Sequence, residues 1–176
     1  MSKKVKGVQI AGLFNVADSS DYPVALVNFV KNGRKSVSLS YDELQYMHID
    51  LRSGGRVLYG LIGAGYSFNY TNRYAFDIGF GAHLIDHHSF TLDGEYGYEA
   101  LTDFKKDPDQ VSSFKLLTGL NLNKQVQLFA GPTINIASYN ADDQLELHGW
   151  PVHKYTNNNN ITNIYAGITG GLQFTW

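Results

Sequence analysis

Apolar and polar residues alternate along most of the chain, most regularly over its last fifteen residues, 162–176. One parity there carries Ile164, Ala166, Ile168, Gly170, Leu172, Phe174 and Trp176. A period of two is the pattern of a β-strand with one apolar face. The same period predicts seven earlier strands, at residues 5–17, 36–51, 57–69, 74–85, 90–100, 113–122 and 126–137.

The segment 18–35 fits either a helix or a strand, above all at residues 22–31. Ser20 or Asp21 can cap a helix, and Pro23 suits its first turn. A strand here would make nine and place the two chain ends on opposite sides, whereas a helix leaves eight strands with both ends together. We therefore predict a short helical connection over 18–35, between the first two strands.

The connections between the predicted strands alternate in length. Long polar segments are predicted on the outer side and tight turns on the inner side, namely 69–73, 102–110 and 138–161 against 52–56, 86–89 and 123–125. This alternation is typical of outer-membrane barrels. The predicted fold is all-β: a single domain, 1–176, forming an eight-stranded antiparallel up-and-down transmembrane β-barrel with a long outer loop at 138–161.

Two segments carry resemblances to known families. The alternation of 162–176 and its terminal Trp176 resemble the last strand of bacterial outer-membrane β-barrels, in which a terminal Phe or Trp is part of the signal for the barrel assembly machinery. Residues 7–17, GVQIAGLFNVA, resemble the GVQ-x-AG-x-x-N-x-A repeat of uncharacterised surface-repeat outer-membrane proteins of the Bacteroidota. These resemblances imply a Gram-negative outer-membrane location, with outer-membrane lipid, the assembly machinery and a possible outer-membrane protein as partners.

Composition narrows the class further. Only 17% of the 176 residues are charged, yet no window approaches the roughly 18 consecutive apolar residues of a membrane helix, so a membrane would be crossed by strands. A net charge of −2 without a basic stripe argues against nucleic acid, and the absence of cysteine excludes disulfides and thiolate metal sites. The amino terminus lacks a secretory signal, so we expect a processed form of an exported protein in which Met1 and Ser2 are additions.

The two faces of the predicted strands carry different chemistry. One face is expected to place a polar network in the lumen, consisting of Asp42, His48, Asp77, His83, Asp93, Glu95, Glu99 and Lys115. Eight strands leave an interior just wide enough for side chains, which favours packing over a conducting pore. Membrane-interface aromatics are expected at Tyr66, Phe68, Tyr74, Phe76, Phe174 and Trp176.

Metal-binding and catalytic interpretations have weaker support. His83, Asp86, His87 and His88 are suitable ligand types, but no spaced metal motif contains them. The parts of a hydrolase triad are available among Ser38, Ser40, His48, His83, Asp93 and Glu95, again without a family motif. We therefore expect no catalytic, cofactor or metal site.

Three functions remain as hypotheses. The first is an outer-membrane barrel with a packed lumen and a structural or surface accessory or adhesion role, in which Trp150, His153 and Tyr155 offer an amphipathic surface on the last loop. The second is a lipid-modifying outer-membrane acyl hydrolase or transferase. The third is a soluble lipocalin-like barrel for a small apolar ligand, which requires the apolar face to point inward.

Overall fold

The structure is a computed structural model that describes residues 5–10, 14–17, 20–24, 27–30, 33–68, 74–105, 108–140, 149–157 and 160–176. Within these residues the chain forms thirteen strands: β1 Val5–Ile10, β2 Phe14–Ala17, β3 Ser20–Val24, β4 Val27–Val30, β5 Arg34–Tyr41, β6 Tyr46–Gly54, β7 Leu58–Ser67, β8 Tyr74–Asp86, β9 Phe90–Thr102, β10 Asp109–Asn121, β11 Val126–Asn140, β12 Trp150–Asn157 and β13 Asn160–Thr175. The described residues contain no helix that could span a membrane.

Eight of these strands close into a barrel. Each strand from β5 to β10 pairs antiparallel with the next, β11 pairs with β13, and β13 pairs with β5. The predicted eight-stranded antiparallel up-and-down barrel is therefore confirmed. Closure leaves none of the eight strands as an open edge along the barrel wall.

The barrel wall has its polar residues inside and its apolar residues outside. On β6, His48, Asp50 and Arg52 are buried, whereas Ile49 and Leu51 between them are exposed. The same alternation runs along β8, where Ala75 and Asp77 are buried and the residues on the opposite parity are exposed. A lipocalin-like barrel would need the reverse arrangement, so this geometry contradicts the third hypothesis.

Residues 36–51, predicted as one strand, form a hairpin instead. β5 and β6 pair in register from Arg34 opposite Gly54 to Tyr41 opposite Met47. The turn 42–45 is closed by the backbone N–H of Tyr46 donating to Asp42 Oδ1 at 3.0 Å, and Gln45 adopts a φ of 64°. Asp42 thus supplies a side-chain cap of the kind that favours turns.

The predicted helix at 18–35 and the predicted first barrel strand at 5–17 are both wrong. β3 and β4 occupy much of the helical segment, and they pair in parallel with β1 and β2 respectively, apart from the barrel sheet. The run from Val24 to Val30 is rich in β-branched residues, which favour extended backbone over a helix. The total of eight strands is still correct because the hairpin at 34–54 supplies the additional barrel strand.

The connections alternate between the two ends of the barrel. The short turns 55–57, 87–89 and 122–125 lie at one end, called here the turn end. The turn 42–45, which was not predicted, and the strand ends that flank residues 69–73, 106–107 and 141–148 lie at the other, the loop end, and those three segments are outside the described residues. Between β11 and β13 in the chain, β12 pairs with the first part of β13, from Asn157 opposite Asn160 to Trp150 opposite Ala166. β11, β13 and β12 therefore extend the wall at the loop end, and residues 141–148 of the predicted long loop lie outside the described residues.

Candidate functional site

The barrel interior concentrates the charged side chains of the described chain. Alternation along each strand points every second residue inward, and these positions carry Ser38, His48, Asp50, Arg52, Asp77, Asp93, Glu95, Glu99, Ser113, Gln127, Thr133, Asn135 and Thr169. Buried charges are stable only when they are paired or hydrogen-bonded. A functional site is therefore expected among the paired side chains of the interior.

Arg52 and Glu95 form an ion pair across the lumen. Arg52 Nε donates to Glu95 Oε1 at 2.7 Å and Nη2 donates to Oε2 at 3.2 Å, a bidentate arrangement. Tyr59 Oη also donates to Glu95 Oε1 at 2.7 Å. Arg52 Nη1 donates to the hydroxyl of Ser38, which in turn donates to Asp50 Oδ2 at 3.1 Å. The cluster links β5, β6, β7 and β9.

A second cluster surrounds His48, nearer the loop end. Its Nδ1 lies 2.9 Å from Asp77 Oδ2, and its Nε2 lies 2.9 Å from Asp42 Oδ2 and 3.9 Å from Glu99 Oε1. All four side chains are at most 10% exposed. The turn 42–45 and strands β6, β8 and β9 thus converge on one imidazole.

His83 and Asp93 form a third contact, toward the turn end. His83 Nδ1 lies 2.7 Å from Asp93 Oδ1, and the His83 ring lies 4.7 Å from that of Tyr59. The other residues that were considered with His83 for metal binding, Asp86, His87 and His88, are elsewhere. Asp86 pairs with Arg34 at 3.0 Å, and His87 and His88 are exposed on the turn. These four residues do not converge as a metal site.

The carboxylate of Glu43 enters the lumen from the turn 42–45. Its Oε1 accepts hydrogen bonds from Asn135 Nδ2 and from Thr133 Oγ1, the latter at 3.3 Å. Burial raises the pKa of Glu43, and the neighbouring Asp42 carboxylate raises it further. A Cβ added at Gly167 would lie 2.2 Å from the Glu43 carboxyl carbon, so this glycine makes room for the side chain.

Little free volume remains between the clusters. Lys115 shares a space of about 10 Å³ with Arg52, Glu95 and Glu99, and such a space holds roughly one water molecule. The wider hollow, about 670 Å³, opens at the turn end and is lined largely by polar residues such as Asn121. The described side chains therefore fill the middle of the barrel.

The residues considered for catalysis are not arranged as a serine triad. Ser38 contacts Arg52 and Asp50, whereas both nitrogens of His48 face carboxylates and His83 faces Asp93. None of these contacts joins a serine to a histidine. A nucleophile next to a base is the first requirement of that mechanism, and these contacts do not provide it.

The predicted interface aromatics lie near the two ends of the barrel. At the loop end the Tyr66 ring lies 5.1 Å from Phe68 and 5.4 Å from Tyr74, and Phe76 lies 6.2 Å from Phe104. Phe104 was not among the predicted aromatics, because it lies in a connection rather than on a strand. At the turn end, Phe174 and Trp176 are exposed.

Sequence reasoning missed Tyr59 and Glu43 as members of the interior clusters. Arg52 shares the inward parity of His48 and Asp50, so alternation places it in the lumen, but alternation does not identify Glu95 as its partner. Tyr59 shares its inward parity with Gly63 and Gly65. An aromatic side chain among inward glycines was the signal that could have identified it.

Comparisons with known proteins give a limited result. No protein-family model and no curated protein matches the chain, so the resemblance of residues 7–17 to a Bacteroidota repeat stays a prediction. Among solved structures, the chain is similar to the crystal structure of Neisserial surface protein A, with a TM-score of 0.41 and 12% identity over 82% of this chain and 94% of that one. We take no functional inference from a similarity of this size.

Proposed function

We propose that the chain is an integral β-barrel of a bacterial outer membrane, with a packed, non-conducting lumen and a structural or surface accessory role. The observation that carries this proposal is a belt of exposed apolar side chains to which each of the eight barrel strands contributes. Its members include Leu39, Met47, Ile49, Ile62, Phe76, Ile78, Phe80, Tyr96, Phe114, Leu120, Leu128, Ile134, Ile136, Ile168 and Leu172. Soluble monomers rarely expose contiguous apolar patches larger than roughly a few hundred Å².

The location of polar groups supports the same proposal. In hydrocarbon every backbone N–H and C=O must be satisfied internally, and a closed barrel achieves this. Charged groups in the middle of the barrel face the lumen, where Arg52 pairs with Glu95 and His48 lies between carboxylates. Aromatic side chains near both ends of the barrel suit the two interfaces of a bilayer. Outer-membrane lipid is thus the proposed partner of the belt.

The filled lumen supports a role other than conduction or catalysis. Porins that conduct have roughly twice as many strands as this barrel. Here the space beside Arg52, Glu95 and Lys115 is about 10 Å³. We therefore propose a closed barrel whose function lies on its surface rather than in its interior.

The wall extension at the loop end supports a surface accessory or adhesion role. β12 pairs with β13 along one side and, among the described residues, no strand pairs with its other side. Trp150, Val152 and Tyr155 on β12 are all more than 60% exposed. Exposed aromatic residues and an unpaired strand edge are features by which proteins bind partners.

The carboxy-terminal strand supports a role for the barrel assembly machinery in insertion. β13 closes the barrel between β5 and β11, and its outward face runs from Ile164 through Ile168 to Phe174. Pairing of β13 with both β5 and β11 completes the closed barrel. Recognition of β13 by that machinery is part of the proposal.

The test is folding of the full chain with and without amphiphile. The purified protein is refolded in plain buffer, in detergent and in liposomes, and is followed by circular dichroism and by gel mobility before and after heating. We expect a heat-modifiable β-rich species only with amphiphile, and liposomes that remain impermeable to small ions. A monodisperse β-protein in plain buffer would overturn the membrane proposal, ion leakage would overturn the closed lumen, and hydrolysis of labelled lipid would favour the enzyme alternative.

A further inference from the structure

The imidazole of His48 has a carboxylate oxygen on each of its two nitrogens. Nδ1 lies 2.9 Å from Asp77 Oδ2, and Nε2 lies 2.9 Å from Asp42 Oδ2. A neutral imidazole has one N–H donor and one lone-pair acceptor, whereas an ionised carboxylate only accepts. One of the two contacts therefore requires an added cation between its acceptors, which is either a proton, carried by the ring or by the carboxyl group, or a metal ion.

The surroundings of Nε2 favour a metal ion. We propose that Nε2 of His48, with the carboxylates of Asp42 and Glu99, binds one divalent transition-metal ion of the zinc class at the loop end of the lumen. The candidate ligand atoms all lie within 4.8 Å of one another. This site is additional to the membrane function proposed above and does not depend on the solvent around the barrel.

An independent observation comes from Glu99. Its Oε1 atom is fully buried, has no hydrogen-bond partner among the described residues, and lies 3.9 Å from His48 Nε2. A buried carboxylate oxygen without a partner is costly. A cation placed between Nε2, Asp42 and Glu99 would give this oxygen the partner that the described part of the chain does not supply.

The distances suit a small divalent ion. Zinc binds imidazole nitrogen and carboxylate oxygen at about 2.0–2.2 Å, which places tetrahedral ligand atoms about 3.3 Å apart. The separations of 2.9 and 3.9 Å from Nε2 to the two carboxylate oxygens lie on either side of that value. Three protein ligands leave one position for water, and imidazole with carboxylates favours zinc-class ions over calcium or magnesium.

Asp77 has the role of orienting the histidine. Metal-binding histidines commonly donate the other ring N–H to a carboxylate, which fixes the tautomer and directs the lone pair at the metal. Asp77 Oδ2 is placed to accept that hydrogen bond from Nδ1. Asp77 is therefore a positioning residue rather than a fourth ligand.

The charges around His48 also favour a divalent cation. Asp42, Asp77 and Glu99 lie around one imidazole, and the guanidinium of Arg52 is held by Glu95 through two hydrogen bonds. Lys115 offsets part of the negative charge, because it shares the small space lined by Asp77 and Glu99. A divalent ion would neutralise what remains and join the turn 42–45 to β6 and β9.

The test is zinc titration of the folded full chain by calorimetry. The protein carries no histidine tag, has Gln in place of His87, His88, His148 and His153, and is stripped with chelator after folding is confirmed by circular dichroism. We expect one Zn²⁺ per chain, with proton release revealed by heats that differ between buffers of different ionisation enthalpy, because Zn²⁺ displaces a proton from the ring. Inductively coupled plasma mass spectrometry after dialysis checks the stoichiometry.

Variants separate ligands from other lumen residues. His48→Gln and Glu99→Gln are each expected to weaken zinc binding at least 100-fold, and Asp77→Asn is expected to weaken it about 10- to 100-fold through loss of orientation. His83→Gln, which changes the other lumen histidine, is the matched control and should bind as the parent does. Absence of 1:1 binding in the folded parent, or unchanged binding in both His48→Gln and Glu99→Gln, would overturn the proposal and assign the cation at Nε2 to a proton.

Discussion

Replacement of Arg52 by methionine tests whether the lumen is held together by paired charges. Arg52→Met keeps much of the side-chain length but removes both hydrogen bonds to Glu95 and the one to Ser38. Tyr59 would remain as a donor to Glu95. The variant therefore leaves two buried carboxylates without this cation, because Asp50 Oδ2 also lies 3.6 Å from Arg52 Nη1.

The magnitude follows from the burial of the pair. The Arg52 and Glu95 side chains are 9% and 2% exposed, so solvent cannot replace the lost partner. Breaking a buried ion pair by removal of one member costs about 3–5 kcal/mol, whereas removing both charges is far less costly. We expect Arg52→Met to lower the free energy of unfolding by about 3–5 kcal/mol, and Arg52→Met with Glu95→Gln to recover at least half of that loss.

Urea unfolding in detergent or lipid, followed by circular dichroism and gel mobility, measures these differences. Arg34→Met is the matched control, because Arg34 and Asp86 form an ion pair whose side chains are each 40% exposed. Exposed pairs contribute about 0–1 kcal/mol, so this control should be close to the parent. A loss below about 1 kcal/mol for Arg52→Met, or a double variant no more stable than the single, would refute the assignment of a charge-paired lumen.

Three further predictions test the wall and its packing. Ile168→Arg on the outward belt should cost about 2–4 kcal/mol in lipid, while Tyr155→Arg on β12 should be neutral; equal tolerance in liposome unfolding would contradict the face assignment. Gly81→Ala should lower the free energy of unfolding by about 1–3 kcal/mol through overpacking, because a Cβ there would lie 2.4 Å from the Tyr59 ring. Gly94→Ala is the control: its Cβ would have its nearest atom at 3.4 Å, so its urea midpoint should be close to that of the parent. Tyr59→Phe should cost about 1.5–3 kcal/mol by removing a hydrogen bond to a buried carboxylate, and a urea midpoint equal to that of the parent would argue against that bond.

The hairpin at 34–54 shows why alternation predicted the faces but not every strand boundary. Tyr41 pairs with Met47, and their residue numbers have the same parity. A hairpin of this register keeps the inward residues on one parity through the turn, so one long strand and two paired strands give the same pattern. The distinguishing signal was Asp42, whose side chain caps the turn. The hydrophobic period does not reveal such a turn, whereas a turn-favouring residue such as Asp42 does.

The prediction for the amino-terminal segment was wrong for a different reason. The helix at 18–35 was predicted because an outer-membrane barrel was expected to have an even number of strands, and the barrel does have eight. The missing strand came from the hairpin, while β1 pairs with β3 and β2 pairs with β4 in parallel. Cap signals at Ser20 and Asp21 are local, and β-branched residues between them and Val30 favoured extended backbone. The predicted number of barrel strands can thus be correct while the segments assigned to those strands are wrong.

The sequence alone could not predict which side chains contact one another inside the lumen. Parity places His48 and Glu99 on inward faces, but their meeting depends on the registers of β6 with β7, β7 with β8, and β8 with β9. The register pairs Asp50 with Gly63, and a Cβ at Gly63 would lie 2.1 Å from the Asp50 carboxylate. Glycines opposite large inward side chains create the space in which the clusters form. That complementarity belongs to pairs of strands rather than to any single strand.

The two faces of the wall together fix the register of the barrel. A slip of one residue in a strand exchanges its inward and outward sets. For β6 such a slip would place Asp50 and Arg52 on the outward face, against lipid in the proposed membrane, and would place Ile49 among the lumen carboxylates. A charged side chain facing mid-membrane costs about 2–4 kcal/mol, and the lost Arg52–Glu95 pair would add to that cost. The charged interior of this barrel therefore selects one alignment of strands, in addition to filling the lumen.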